Sequence, residues 1–164
     1  MIFEHLIKEN KEAFTQKVKD ICQNLAIDPD WLMLVMWFET ARTFRADIVN
    51  PISGATGLIQ IMPKTARSLG TTTEALKNMS NVEQLDYVLA YLRPYKGSMK
   101  RWVDVYLAVF YPKAMGKPDF VITSDIVAKQ NKIFDLNRDL DISVKEIEAV
   151  LRKSIPEQYK KYYP

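Results

Sequence analysis

Glu39 closes an apolar run, Leu32-Met33-Leu34-Val35-Met36-Trp37-Phe38. Upstream, Asp28-Pro29-Asp30 supplies an N-cap, a proline at the first helical position and an acid in the first turn, so a helix is expected from there to about Arg42. A helix that is apolar on every side belongs at the buried centre of a domain. Near its C-terminal end a carboxylate is opposed twice, by desolvation and by the partial negative charge of the helix terminus. The expectation is a raised pKa. A glutamic acid kept protonated near neutral pH can hand a proton to a leaving oxygen, as cleavage of a glycosidic bond requires. The competing reading is an ion pair between Glu39 and Arg42, three residues on, worth a few tenths of a kcal/mol and lowering the pKa instead. On position and composition alone the ion pair is the commoner case.

Other chemistries are short of residues. The chain has one cysteine, Cys22, and one histidine, His5, which excludes an internal disulfide, a thiolate zinc site and a Ser-His-Asp triad. Hydrolytic chemistry therefore has to rest on carboxylates. Downstream of Glu39, Gly54 and Gly57 permit a tight turn and close approach of backbone to a ligand. Gln60, in an otherwise apolar stretch, offers an amide with donor and acceptor groups that suits sugar N-acetyl and hydroxyl groups; read without a ligand, it is a surface residue of a short strand.

The positioning elements follow from periodicity. Apolar residues between Phe3 and Leu25 recur every three or four, which predicts one amphipathic helix over the first 25 residues. Asn50 to Gly57 reads as loop and turn, Pro63 opens a brief helix closed by Gly70, and Ser80 with Glu83 forms a capping box for a helix ending at Pro94. A further helix is expected from about Met99 to Tyr111, stopped by Pro112. Between Pro118 and Phe134 strand, short helix and ordered loop all fit, and Ser143 begins a last helix that Pro156 ends. The picture is mainly α, six to eight helices in one domain over residues 1–164.

Glu39-Thr40, Asn50-Pro51 and Ser53-Gly54-Ala55-Thr56-Gly57-Leu58-Ile59-Gln60-Ile61-Met62-Pro63-Lys64-Thr65-Ala66 resemble the signature of the soluble lytic transglycosylase (SLT) family within the lysozyme-like superfamily. That family shows a Glu-Ser pair, an Asn-Pro and a Gly-Ala-x-Gly-Leu-Met-Gln-Ile-Met-Pro-x-Thr-Ala stretch. The resemblance covers about 28–112 and implies a goose-type, SLT-like helical domain with a small turn or hairpin region around an active-site cleft. It also implies cleavage of the MurNAc-GlcNAc bond of peptidoglycan with 1,6-anhydromuramyl ends, Glu39 being general acid and then base. Thr40, Ser53, Gln60, Tyr91 and Tyr111 are the expected substrate-binding residues. Where the family has Ala-Tyr-Asn-Ala-Gly, this chain has Ala108-Val109-Phe110-Tyr111-Pro112, so Phe110 replaces the tyrosine that steadies the catalytic carboxyl, and Tyr111 or Tyr91 is left to supply a phenol. Two alternatives stay open: Asp47, the nearest downstream acid, activating a water as in a lysozyme, and a non-catalytic glycan-binding module of a tail-associated or structural protein.

In the C-terminal segment, 119–164, residues 135–146 resemble an EF-hand loop, with Asp135, Asn137, Asp139, Asp141 and Glu146 as candidate calcium ligands and Ile142 at the usual apolar position. Leu140 stands where the loop wants glycine, and Ser143 with Glu146 is also a capping box. Catalysis is expected to need no cofactor, and calcium, where bound, to brace the C-terminal segment.

Composition is that of a globular chain, 48% hydrophobic and 26% charged, and a net charge of +3 falls short of a nucleic-acid-binding stripe. The longest apolar run is far below the roughly 20 residues that cross a bilayer, and no signal peptide is read at the N-terminus. The expectations are a monomer acting at the cell wall or periplasm on peptidoglycan strands, without membrane insertion, delivered by a phage tail, a secretion apparatus or a lysis pore.

Overall fold

The computed structural model describes residues 1–163, Tyr162 by its backbone alone. The fold is mainly α, as expected: among the described residues there are eight α-helices, short 3-10 turns and one two-stranded sheet. Close contacts group into two compact units, Met1–Gly97 and Ser98–Pro164.

The first unit holds α1 (Lys11–Leu25), α2 (Pro29–Glu39), α3 (Pro63–Ser68), α4 (Thr73–Lys77) and α5 (Asn81–Leu92), with α1 packed on both α2 and α5. Asp28 caps α2 by accepting from the Asp30 amide at 2.8 Å. As its composition demands, Leu32 through Trp37 are all buried. The single helix expected over the first 25 residues is broken: a 3-10 turn (Glu4–Leu6) precedes α1, and Phe3 and Asn10 are left-handed. The break lets Phe3 stack on Trp37 of α2, ring centroids 4.6 Å apart, while the Ile2 amide donates to Asp30 Oδ1 at 2.9 Å. Burial of Phe3 and Ile7 thus wins over helix continuation. Across the other side of α1, Lys17 Nζ reaches the Val82 carbonyl at 2.8 Å and Asp86 at 2.9 Å. The Ser80–Glu83 capping box is formed in both directions.

The second unit holds α6 (Trp102–Phe110), β1 (Val121–Ile122), α7 (Asp125–Gln130), β2 (Ile142–Ser143) and α8 (Val144–Ser154). Val121 pairs with Ser143 and Ile122 with Ile142, antiparallel, so the segment after Pro118 contains both a short strand and a short helix. The side chain of Asp104 is almost wholly buried in the first turn of α6 and accepts from the amides of Arg101 (2.9 Å), Gly116 (3.0 Å) and Lys100 (3.1 Å). Such a carboxylate fastens the helix start to the chain beyond the helix end. Replacing it strands three amides, so Asp104→Ala is expected to lower unfolding free energy by about 3 kcal/mol, read as a shift in the urea midpoint at constant m-value.

Candidate active site

Glu39 is the last residue of α2 and is half-buried. The helix stops three residues before the expected Arg42 because the chain turns into a Schellman ending. The Arg42 amide donates to the Trp37 carbonyl at 2.7 Å, the Ala41 amide to Phe38 at 3.3 Å, and Ala41 takes the left-handed position with φ of 48°. Arg42 and Phe44 are also left-handed, at 72° and 54°. Three non-glycine residues held this way within four positions mark a backbone that its surroundings over-determine, as segments beside active groups often are. Arg42 directs its guanidinium over the Trp37 ring, 5.1 Å from the centroid.

Thr40 is fully buried. Its hydroxyl donates to the Met36 carbonyl at 2.6 Å and accepts from the Phe44 amide at 2.9 Å. The hydroxyl thus ties the helix end to the left-handed segment through one donated and one accepted bond.

The glycine-containing stretch folds as a compact set of turns. Asn50 Oδ1 accepts from the amides of Ile52 (2.9 Å) and Ser53 (3.1 Å), and Thr56 makes antiparallel bridges to both Val49 and Ile61. Ser53 is half-buried, its hydroxyl accepting from the Ala55 amide at 3.3 Å. Gln60 is half-buried and left-handed at 50°, in a turn and not on a strand. Its Nε2 donates to the carbonyls of Gly57 (3.1 Å) and, at 3.4 Å, Ile48, which holds the side chain in place.

Gln84 escaped sequence reasoning because glutamine on an otherwise ordinary amphipathic helix carries no local signal. It is almost wholly buried on α5. Its Oε1 accepts from the Leu58 amide at 3.0 Å, and its Nε2 donates to the carbonyls of Ala46 (2.6 Å) and Leu76 (2.7 Å).

Tyr91, also on α5, is half-buried, with its ring tilted against Tyr95. Burial, and then the neighbouring charges of Tyr95 and Glu39, pushes its phenol up to about 12. Tyr91 therefore remains an O–H donor at neutral pH within electrostatic range of Glu39. Tyr111 belongs to the second unit, at the end of α6 and tilted against Phe120. Phe110 packs with Tyr106 and Phe134.

Asp47 is half exposed and held by Arg45 in a bidentate pair, 2.9 and 2.7 Å. A cavity of about 520 Å³ opens beside it, bordered by Thr43, Arg45, Lys8 and Ser80; Glu39 is not among the residues lining it.

With this geometry in view, the sequence profile described as Transglycosylase SLT domain matches residues 16–109, more than half of the chain and inclusive of Glu39, the turns and α5. The chain belongs to the transglycosylase SLT domain family. It is accordingly a peptidoglycan-degrading enzyme of the lytic transglycosylase type that acts on the cell wall. No curated protein and no solved structure matches it. Among the described residues no helix is long and apolar enough to cross a membrane.

The 135–146 loop lies in the second unit. Asp135 accepts from the amides of Asp139 (3.1 Å) and Leu140 (3.3 Å), Asn137 from Asp139 (3.1 Å) and Asp139 from Asp141 (3.0 Å). Leu140 occupies the left-handed position normally left to glycine, φ 68°. Glu146 accepts from the Ser143 amide at 2.9 Å, so the capping box of α8 is formed, and from Leu136 at 3.2 Å. Among the described residues no three acidic, histidine or cysteine side chains stand together as a ready metal cage.

The hydrogen bond to Arg45, chiefly, holds the Asp47 carboxyl below the usual aspartate range. A depressed folded-state value means that the pair's stabilisation is present above the ordinary aspartate pKa and is lost as pH falls through the folded one. Carbon-detected NMR of the Asp47 carboxyl is expected to show a midpoint below that of a free aspartate, returning to the ordinary range in Arg45→Ala.

Proposed function

We propose that Glu39 is the general acid and base of a lytic transglycosylase reaction that leaves 1,6-anhydromuramyl ends. The observation that carries this reading is the placement of Glu39, half-buried at the end of a helix whose residues Leu32 to Trp37 are all buried and within electrostatic range of the Tyr91 phenol. In its acid role Glu39 gives its proton to the glycosidic oxygen as the bond to the muramyl anomeric carbon breaks. In its base role the carboxylate then takes the proton of the muramyl 6-hydroxyl as that oxygen bonds to the same carbon, which closes the anhydro ring and restores the acid. Proton count and charge return to their starting values, and no water is consumed.

Tyr91 supplies the phenol that the family draws from the position of Phe110. It remains protonated at neutral pH, so it can donate to the carboxylate form of Glu39. Gln60, steadied by its bonds to Gly57 and Ile48, presents its amide oxygen to a sugar N-acetyl N–H, and Ser53 borders the same turn. Asp47 is the residue a hydrolytic route would use. Its bidentate bond to Arg45 occupies both carboxylate oxygens, which disfavours it as a base and favours the anhydro product.

Purified peptidoglycan incubated with the enzyme is expected to yield anhydro-muropeptides by mass spectrometry, with Glu39→Gln at least about 100-fold slower, since loss of general acid–base catalysis alone costs about 100- to 10,000-fold. Reducing ends in place of anhydro ends would replace this reading by hydrolysis. A folded wild-type protein that binds wall glycan but releases nothing would replace it by a binding module.

A second reading concerns the 135–146 loop, which we propose binds calcium weakly as a brace for the second unit. Its support is the left-handed turn at Leu140, adopted despite a branched side chain, together with the Asp135 bonds across that turn. Asp135, Asn137, Asp139, Asp141 and Glu146 would hold the ion, which supplies structural charge compensation and no catalytic chemistry. The donors must first exchange their amide partners for the ion, and Lys129, Lys132 and Arg138 line a cavity with Asp135, so affinity belongs at about the millimolar end of such loops. At 10 mM calcium this corresponds to a rise in Tm of about 3 °C over EDTA, abolished in Glu146→Gln; an unchanged Tm in the wild type would refute it.

A further inference from the structure

We propose that Gln84, outside the family signature's turns and carrying no chemistry of its own, is a positioning residue for glycan cleavage. It locks the turn that bears Gln60 against the segment leaving the catalytic helix. This inference rests on the reading of Glu39 as the reacting group.

The argument begins with an inventory of hydrogen bonds. Three main-chain groups converge on one buried point: the Leu58 N–H and the carbonyls of Ala46 and Leu76. They need one acceptor and two donors. A primary amide alone among neutral side chains carries that combination in one rigid plane, and glutamine has the reach from α5. At 3% exposure the site has no solvent to replace a missing bond.

The places fixed are informative. Leu58 lies two residues before Gln60 and directly after Gly57. Ala46 lies in the segment that follows the left-handed run Ala41, Arg42 and Phe44 after Glu39. Leu76 is on α4. The amide therefore sets the distance between two pieces of backbone that the catalytic helix and the sugar-facing turn both depend on. It also explains the second glycine of the motif by contact as well as by its φ of 85°: a Cβ at Gly57 would be driven into the Gln84 side-chain amide. Gly57 and Gln84 are thus one unit although 27 positions separate them in the chain.

The test uses the full chain on uncrosslinked glycan strands, with product release measured well below each variant's Tm. Gln84→Met keeps length and flexibility but removes all three bonds. It is expected to retain a cooperative thermal transition and to lose about 100-fold in kcat/KM, the scale set by misplacing a bound group by an ångström. Gln84→Glu puts a carboxylate against two carbonyls at pH 7, so it should be as impaired as Gln84→Met there. Its activity relative to wild type should then climb as pH falls and a protonated carboxyl donates to one of them. A residue serving stability alone would show neither a loss persisting far below Tm nor that pH-dependent recovery. If Gln84→Met does not fold, Gly57→Ala carries the test, since its methyl group displaces the same amide. The double variant with Gln84→Ala should lose less than the sum of the two single losses, since removing the amide relieves the clash and leaves only the strain at the φ of 85°, whereas fully additive losses would overturn the coupling. In the wild type, the Leu58 amide should exchange hydrogen slowly, and exchange at the rate of an open loop would refute the geometry without any variant. Folded Gln84 variants as active as an active wild type sink this inference alone. A wild type that releases no product sinks the Glu39 reading, and this inference falls with it.

Discussion

α2 has no polar face to give to water. Leu32 to Trp37 must be covered on every side, and α1, the stacked Phe3 and the buried turn residues Leu58 and Ile59 all contribute to a core assembled under that demand. Burying one such side chain is worth roughly 1.5–3 kcal/mol, so the helix is the most strongly determined element of the first unit. Its end is consequently fixed in space, and the residue at that end, Glu39, inherits the precision. The chain leaves through a Schellman ending with alanine where glycine is usual, and then through two more left-handed residues. That departure is costly, and the Thr40 hydroxyl, bonded to Met36 and Phe44, is one of the contacts that hold it.

The site is built from backbone more than from side chains. Asn50, Thr56 and Gln60 spend hydrogen bonds on their own turns, so the shape of these turns is set before any ligand arrives. Pre-organisation of this kind reduces the ordering that must accompany binding and leaves binding energy for the transition state. Tyr91 on α5 lies within electrostatic range of Glu39, and its burial keeps the phenol protonated throughout the neutral range.

Much of this was legible in the residues. The start and burial of α2, the capping box at Ser80, the mainly α class and the family were all readable because each rests on local pattern: periodicity, cap chemistry or a dense motif. Local pattern failed where a distant contact decided the outcome. The first helix breaks before α1 because Phe3 must reach Trp37, and no window of sequence contains both. The internal bonds of the Thr40 hydroxyl, to Met36 and Phe44, were likewise not legible, because they depend on the left-handed turn that follows the helix. α4 was missed: five residues, too short for a period to register. Gln84 was invisible for the plainest reason, since the three groups it serves lie 8, 26 and 38 positions away along the chain.

Cys22 has a consequence of a different kind. It is the chain's sole thiol, it lies wholly buried on α1, and burial with the nearby Asp28 and Asp30 charges pushes it up to about 12. The thiolate, the form that reacts with oxidants and disulfides, is then nearly absent at any physiological pH. Cys22 therefore offers no handle for disulfide exchange: it behaves as a small apolar packing group of α1, and the packing around it does not follow the redox potential of the surroundings.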